Sequence, residues 1–122
     1  VTSLALGRPR DAAEDRARAL LELLGLAGLE QASAHRLSGG EQRRLVVAAA
    51  LVHGPAGVLL DEPTVGQDRL TWATVVGACA SATDAGAAVG VATHDAVAIE
   101  ALTTGRGETL VLADGRVARD AA

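Results

Sequence analysis

The chain has no lysine among its 122 residues, and it also lacks asparagine, methionine, phenylalanine and tyrosine. The phosphate-binding loop with the pattern G-x-x-x-x-G-K-[ST] needs a lysine, so that loop is excluded from these residues. The only cysteine, Cys79, rules out an internal disulfide and has no second cysteine with which to form a zinc or redox pair. We therefore expect Cys79 to be a small, buried, apolar side chain.

Long hydrophobic runs and clusters of positive charge are also missing. No stretch reaches the roughly 18 uncharged apolar residues of a membrane-spanning helix, and residues 1–10 contain no long apolar leader. The formal net charge is −4 and the eleven arginines are scattered, which argues against direct nucleic-acid binding. These features predict a cytoplasmic protein. A chain that opens on Val1 and contains no methionine is expected to be a piece of a longer polypeptide.

Helical and strand patterns alternate along the chain, which predicts an α/β fold. The predicted elements are helices over 11–24, from Ser38 to Val52, from Asp68 or Arg69 to about Asp84 and over 95–102, strands over 57–61 and 87–93, and a hairpin of 108–113 with 116–119. The apolar residues 45–52 predict that the second helix is buried on most sides, and those at 57–61 predict a buried parallel strand. The pair Asp114-Gly115 is typical of a two-residue hairpin loop.

The segment Ser38-Gly39-Gly40-Glu41 combines a helix start with two glycines. Serine three residues before glutamate forms a capping box, which most often marks only the start of a helix. Each glycine in the first turn costs roughly 1 kcal/mol relative to alanine, so a purely structural cap does not explain them. Without side chains, the N–H groups of the helix N-terminus become accessible to a phosphate. The segment therefore predicts a phosphate-binding helix start.

Two adjacent carboxylates, Asp61 and Glu62, lie at the end of the predicted strand over 57–61. Neighbouring anions repel each other unless a cation relieves the repulsion, and Mg²⁺ takes hard oxygen ligands while keeping much of its water shell. We assign Asp61 to Mg²⁺, held through water, and Glu62 to the polarisation of an attacking water as general base. A surface carboxylate pair before a proline turn is the structural alternative.

His94 follows the second predicted strand, so we expect it at the same sheet edge as Asp61 and Glu62. An imidazole at that edge can hydrogen-bond a terminal phosphate, although a lone histidine is more often structural. The pattern therefore makes His94 a candidate catalytic residue.

Taken together, these segments resemble the nucleotide-binding subunit of the ATP-binding cassette (ABC) family. Residues 37–42 resemble its signature motif, residues 58–62 its Walker B strand with the catalytic glutamate, residues 63–68 its D-loop, and His94 its switch histidine. The resemblance implies a RecA-like P-loop NTPase fold, present in part because the Walker A strand and helix are absent from these residues.

The resemblance also implies domain boundaries, ligands and partners. Residues 1–36 would be the end of the helical subdomain, and residues 37–122 the C-terminal part of the ATPase core. In that family ATP and Mg²⁺ are bound, and two subunits pair head to tail so that each signature motif contacts the ATP held by the other subunit. The implied nucleotide-binding residues are Ser38, Gly39, Gly40, Gln42 and Asp68, the last of which would signal between the two sites.

The D-loop has a glutamine at position 67 where leucine is common, and with residues 69–72 it is most similar to energy-coupling-factor and cobalt-type importers. A transmembrane permease or coupling subunit is then implied, which would hold the protein at the inner face of the cell membrane.

Without the phosphate loop, these residues alone are expected to be inactive. Two other functions stay open, namely a non-hydrolysing module or remnant that pairs with a complete ABC subunit, and a soluble ABC-type ATPase.

Overall fold

The computed structural model describes residues 10–29, 33–105 and 107–118. The helices are α1 (Arg10–Leu23), α2 (Gly39–Leu51), α3 (Arg69–Asp84) and α4 (Ala96–Thr103), with a 3₁₀ turn at Ala34–Arg36. The strands are β1 (Gly57–Asp61), β2 (Ala88–Ala92), β3 (Val111–Ala113) and β4 (Arg116–Ala118). The α/β order of these elements is the order that the sequence predicts. The first hairpin strand is shorter than predicted, and the predicted end of the second strand, residue 119, lies outside the described residues.

β1 and β2 form a parallel pair in which Gly57 lies opposite Ala88 and Asp61 lies opposite Ala92. Parallel neighbours need a crossover connection, which α3 supplies by packing back against β2. Because both strands run in the same direction, their carboxyl ends lie at one edge of the pair.

The buried core lies where α1, α2 and α3 meet the strand pair. Its most completely buried side chains are Leu24, Leu26, Val47, Val75 and Cys79. Burial raises the pKa of the Cys79 thiol to about 11, so the thiol stays protonated near neutral pH. This confirms the prediction that Cys79 is a small buried apolar side chain.

The end of α1 is held by a glycine and by an arginine from α2. Gly25 has a φ of +70°, and the Leu26 N–H donates back to the Leu21 carbonyl at 2.7 Å, as in a Schellman motif. Arg44 is only 8% exposed, and its Nη1 donates to the Leu24 carbonyl oxygen at 2.6 Å. A cation is favourable there because the C-terminal end of a helix dipole is negative.

Two predictions of burial are wrong. The buried side of α2 includes Val47 and Leu51, but Val46 is 66% exposed. In β1, Leu60 is buried while Leu59 is 88% exposed. Within the described residues the helices pack on one face of the strand pair, so alternate strand residues stay exposed on the other face.

β3 and β4 form an antiparallel hairpin whose loop is the predicted pair Asp114-Gly115. The φ angles of these two residues are 51° and 72°, as expected for a type I′ turn. Among the helices of the described residues, none has the length and apolar character that crossing a bilayer requires.

Candidate functional site

The carboxyl ends of β1 and β2 bring Glu62 and His94 together, as the sequence predicts. The Glu62 N–H donates to the Ala92 carbonyl oxygen at 2.8 Å, which extends the strand pairing beyond Asp61. The Glu62 Oε1 lies 2.5 Å from the His94 Nδ1. A carboxylate and an imidazole from two different strand ends therefore form one contact.

The charge state of this pair follows from its hydrogen bonds. The hydrogen bond from His94 holds the pKa of the Glu62 carboxyl below its usual range, and one from the Thr93 side chain adds to the effect. Glu62 is therefore ionised at neutral pH and can only accept hydrogen bonds, so the proton in this contact lies on Nδ1 of His94. The His94 side chain is 99% exposed, which leaves its Nε2 open to solvent.

The backbone of Glu62 has an unusual conformation. Its φ is +46°, in the left-handed region, which costs a non-glycine residue on the order of 1–3 kcal/mol. Its carbonyl oxygen accepts hydrogen bonds from the Arg43 Nη1 at 2.8 Å and from the Val65 N–H at 3.3 Å. No sequence pattern pointed to Arg43, because it contacts a residue 19 positions away.

Asp61 is exposed at the end of β1, and it lies on the strand face that carries Leu59. Among the described residues, no group of three or more His, Cys, Asp or Glu side chains is arranged to hold a metal ion. The exposed Asp61 carboxylate can be one oxygen ligand of a cation.

The start of α2 has the complete capping box that its sequence predicts. The Ser38 Oγ accepts a hydrogen bond from the Glu41 N–H at 3.1 Å, and the Glu41 Oε1 accepts one from the Ser38 N–H at 2.9 Å. The hydrogen bond from the Ser38 backbone holds the pKa of Glu41 below its usual range. In the same turn, the Gln42 Nε2 donates to the Leu37 carbonyl oxygen at 3.3 Å.

The two glycines of this turn have different surroundings. A Cβ atom at Gly40 would lie 3.2 Å from the Gly66 carbonyl oxygen, and the Gln67 Nε2 donates to the Gly40 carbonyl oxygen at 3.1 Å. The missing side chain at Gly40 therefore makes room for the chain's own turn, and a contact of Gly40 with nucleotide stays a prediction. A Cβ atom at Gly39 would meet nothing within 4 Å, so that position is open.

Asp68 is the N-cap of α3. Its Oδ1 accepts hydrogen bonds from the Thr71 N–H and from the Thr71 hydroxyl, each at 2.9 Å. The first of these hydrogen bonds is the main cause that holds the pKa of Asp68 below its usual range. Capping accounts for the residue type, and a contact of Asp68 with nucleotide stays a prediction.

Asp95 joins three segments next to His94, and it was not among the predicted site residues. Its Oδ2 accepts hydrogen bonds from the Trp72 indole N–H at 2.6 Å and from the Thr64 hydroxyl at 3.1 Å. Its Oδ1 caps α4 by accepting two backbone N–H groups at 3.1 and 3.0 Å. The hydrogen bond from Trp72 is the main cause that holds the pKa of Asp95 below its usual range. An aspartate before a helix predicts a cap but not the bond to Trp72.

Comparison with known proteins identifies the family. The family described as ABC transporter matches residues 2–65, just over half of the chain. The chain belongs to the ABC transporter family. It is 37% identical over 90 residues to the energy-coupling factor transporter ATP-binding protein EcfA of Methanothermobacter thermautotrophicus, covering 74% of this chain and 29% of that protein. It is 41% identical over 106 residues to the macrolide export ATP-binding/permease protein MacB of Chromobacterium violaceum, covering 87% of this chain and 16% of that protein.

Solved structures of the ABC transporter family share the fold. CbiO1 from Clostridium perfringens, part of the ABC transporter complex CbiONQ, is similar with a TM-score of 0.58 and 29% identity, over 76% of this chain and 39% of that one. The ADP conformation of an ATP-binding cassette of an ABC transporter has a TM-score of 0.54 at 23% identity, over 69% of this chain and 33% of that one. The fold is the P-loop NTPase fold of ABC ATPase domains, seen in part, as predicted. The chain spans well under half the length of these relatives.

Replacing Gly39 and Gly40 of α2 by alanine, one at a time, should have different effects on the free energy of unfolding, because only Gly40 is crowded. Gly39→Ala should stabilise the protein by roughly 0.5–1 kcal/mol, because alanine is the better helix former. Gly40→Ala should be less stable than Gly39→Ala by about 1 kcal/mol or more, because the Cβ atom of the new alanine would press against the Gly66 carbonyl oxygen. Urea unfolding measures both free energies, and equal stabilities would contradict the close approach at Gly40.

Replacing Asp95 by asparagine should remove a pH-dependent part of the stability. The lowered pKa means that ionised Asp95 stabilises the fold above about pH 4, and this contribution is lost as the pH falls through the folded-state pKa. Asp95→Asn should therefore have a lower Tm at neutral pH, and its Tm should approach that of the unsubstituted protein as the pH falls below about 4.

Thermal unfolding between neutral pH and about pH 2.5, followed by circular dichroism and by Trp72 fluorescence, measures this convergence. Asp15→Asn, the same change at an exposed position within α1, is the matched control and should keep the Tm of the unsubstituted protein at neutral pH. A difference in Tm between Asp95→Asn and the unsubstituted protein that stays constant with pH would refute the role given to the Asp95 charge.

Proposed function

We propose that the native polypeptide that carries these residues is an ATP-hydrolysing subunit of an ABC transporter. The 2.5 Å contact between the Glu62 Oε1 and the His94 Nδ1, at the carboxyl end of the β1–β2 pair, is the observation that carries this proposal. Open α/β sheets bind their ligands at that end of the strands. Membership of the ABC transporter family supports ATP as the ligand.

Glu62 is the residue that acts on the attacking water. Its lowered pKa keeps the carboxylate ionised at neutral pH, so it accepts a hydrogen bond from that water and orients it towards the terminal phosphate. The same lowered pKa makes Glu62 a weak base. Its main contribution is therefore orientation and polarisation, with proton transfer following as the new bond to phosphorus forms.

His94 has two contacts in this proposal. Its Nδ1–H donates to Glu62 and thereby fixes the direction of the carboxylate. Its exposed Nε2 reaches the terminal phosphate, to which it donates a hydrogen bond when the ring is doubly protonated. His94 therefore connects the phosphate with the residue that orients the water.

Asp61 is the residue that fits Mg²⁺. Its exposed carboxylate lies at the end of β1 next to Glu62, and a single carboxylate suits Mg²⁺ because this ion keeps several waters and takes phosphate oxygens. Bound there, Mg²⁺ would neutralise charge that develops on the phosphates. Asp61 would hold the ion through water, which leaves the Glu62 carboxylate for the attacking water.

The start of α2 serves nucleotide held by a second subunit in a head-to-tail dimer. The Ser38 Oγ accepts from the capping box, so its O–H stays available to donate to a phosphate oxygen. The open space at Gly39 allows a phosphate to approach the helix N-terminus. The proposed nucleotide contacts are Ser38, Gly39, Gly40 and Gln42 from α2, with Asp68 at the start of α3.

The transporter is of the energy-coupling-factor type in this proposal. The similarity to EcfA and to CbiO1, together with the glutamine at position 67, supports this choice. A transmembrane permease or coupling subunit would then hold the ATPase at the inner face of the cell membrane. Copurification of a membrane subunit with the native polypeptide would support this partner.

ATP hydrolysis by the native polypeptide tests the proposal. With Mg²⁺ present, Glu62→Gln should lower kcat about 10²- to 10⁴-fold with little change in KM, because the amide cannot orient the water as an anion does. His94→Ala should also lower kcat. The 122 residues alone should show no turnover above background, because they contain no lysine for a phosphate loop. Phosphate release measures each rate.

Glu22→Gln is the matched control, since it makes the same chemical change at an exposed position of α1 and should keep full activity. Full activity in Glu62→Gln would contradict the proposed role of Glu62. An inactive native polypeptide that still binds a complete ABC subunit would instead favour the non-hydrolysing module.

A further inference from the structure

Three hydrogen bonds to its backbone hold Glu62 in place, one at the N–H and two at the carbonyl oxygen. The N–H donates to the Ala92 carbonyl oxygen at 2.8 Å, and this bond belongs to the strand pairing. The carbonyl oxygen accepts from the Arg43 Nη1, also at 2.8 Å, and from the Val65 N–H at 3.3 Å within the turn that follows β1. Only the bond from Arg43 comes from a side chain, and it is the shorter of the two at the carbonyl oxygen, so it is the one that a change of residue type can remove.

The left-handed φ of Glu62 makes this bond important for the direction of the side chain. A non-glycine residue keeps such a conformation only where its surroundings enforce it. The bond to Arg43 draws the Glu62 carbonyl group towards α2 and so fixes the peptide plane that follows the residue. The orientation of the Cα–Cβ bond depends on that backbone conformation, and with it the contact between the carboxylate and His94.

We propose that Arg43 is a positioning residue that holds the backbone of Glu62 so that its carboxylate meets His94 and the attacking water. This inference rests on the proposed function, because it assigns Arg43 an effect on ATP hydrolysis through Glu62. Arg43 lies one turn after Gly39 on α2, whose start is the proposed contact with nucleotide held by the second subunit. The helix that contacts one nucleotide therefore also positions the glutamate that acts on the other.

A positioning role predicts a specific pattern of kinetic changes. Arg43→Met keeps much of the length of the side chain but removes the donor, so we expect kcat to fall about 10- to 100-fold with KM for ATP changed less than about 2-fold. Arg43→Lys keeps a charged donor and should have an intermediate kcat. Because Arg43 acts through Glu62, adding Arg43→Met to Glu62→Gln should not lower the residual rate further.

The experiment is a double-mutant cycle in the native polypeptide, with single-turnover ATP hydrolysis for the slow variants and thermal unfolding for every variant. Arg18→Met, the same change at an exposed position of α1, is the control and should keep the unsubstituted kcat. If Arg43→Met does not fold, a cycle with Arg43→Lys and Glu62→Gln makes the same comparison. Arg43→Lys should then lower kcat in the unsubstituted protein but should not lower the residual rate of the Glu62→Gln variant.

The inference is overturned if Arg43→Met keeps the unsubstituted kcat, or if it lowers the rate of Glu62→Gln by the same factor as it lowers the rate of the unsubstituted protein. The second result would mean that Arg43 affects the rate independently of Glu62. Failure of the proposed function would show separately, as an unsubstituted protein that does not hydrolyse ATP or as a Glu62→Gln variant with full activity.

Discussion

The parallel pairing of β1 with β2 determines where the candidate functional groups lie. It aligns Asp61 with Ala92, and the hydrogen bond from the Glu62 N–H extends the pairing beyond the end of β1. The residues that follow each strand are then neighbours, although they lie 32 positions apart in the sequence. A shift of this register would separate Glu62 from His94 and remove the contact between their side chains.

α2 is the second element on which the arrangement depends, because it packs into the core and three hydrogen bonds also join it to other segments. Arg44 donates to the end of α1, Arg43 donates to the Glu62 carbonyl oxygen, and the Gly40 carbonyl oxygen accepts from Gln67. The first turn of the helix is thereby held against the turn that follows β1, while Gly39 stays open. A ligand that binds at the first turn of α2 would therefore contact a helix that is hydrogen-bonded to Glu62 through Arg43.

Local patterns and strand direction in the sequence predict that Glu62 and His94 lie at one edge of the sheet. Apolar strands that end in Asp61-Glu62 and in Thr93-His94 predict one sheet edge, because parallel strands place their carboxyl ends together. The exposure of Leu59 was not predictable, since an apolar residue in a strand pattern does not reveal whether another element packs on it.

Contacts between distant segments were also beyond prediction. The bond from Arg43 to Glu62 and the bonds from Thr64 and Trp72 to Asp95 each join positions separated by 19 or more residues, so no local spacing indicates them. Gly40 shows a different limit. Its sequence pattern is that of a ligand-binding turn and does not reveal that the Gly66 carbonyl oxygen would lie 3.2 Å from a Cβ atom at this position.

The most direct test of the central claim is an experimental structure of the native polypeptide, as the Glu62→Gln variant, with ATP and Mg²⁺ bound. The account predicts a terminal phosphate beside His94 and position 62 of one subunit, with Ser38 and Gly39 of a second subunit against the same nucleotide. A nucleotide bound away from the ends of β1 and β2 would contradict the account.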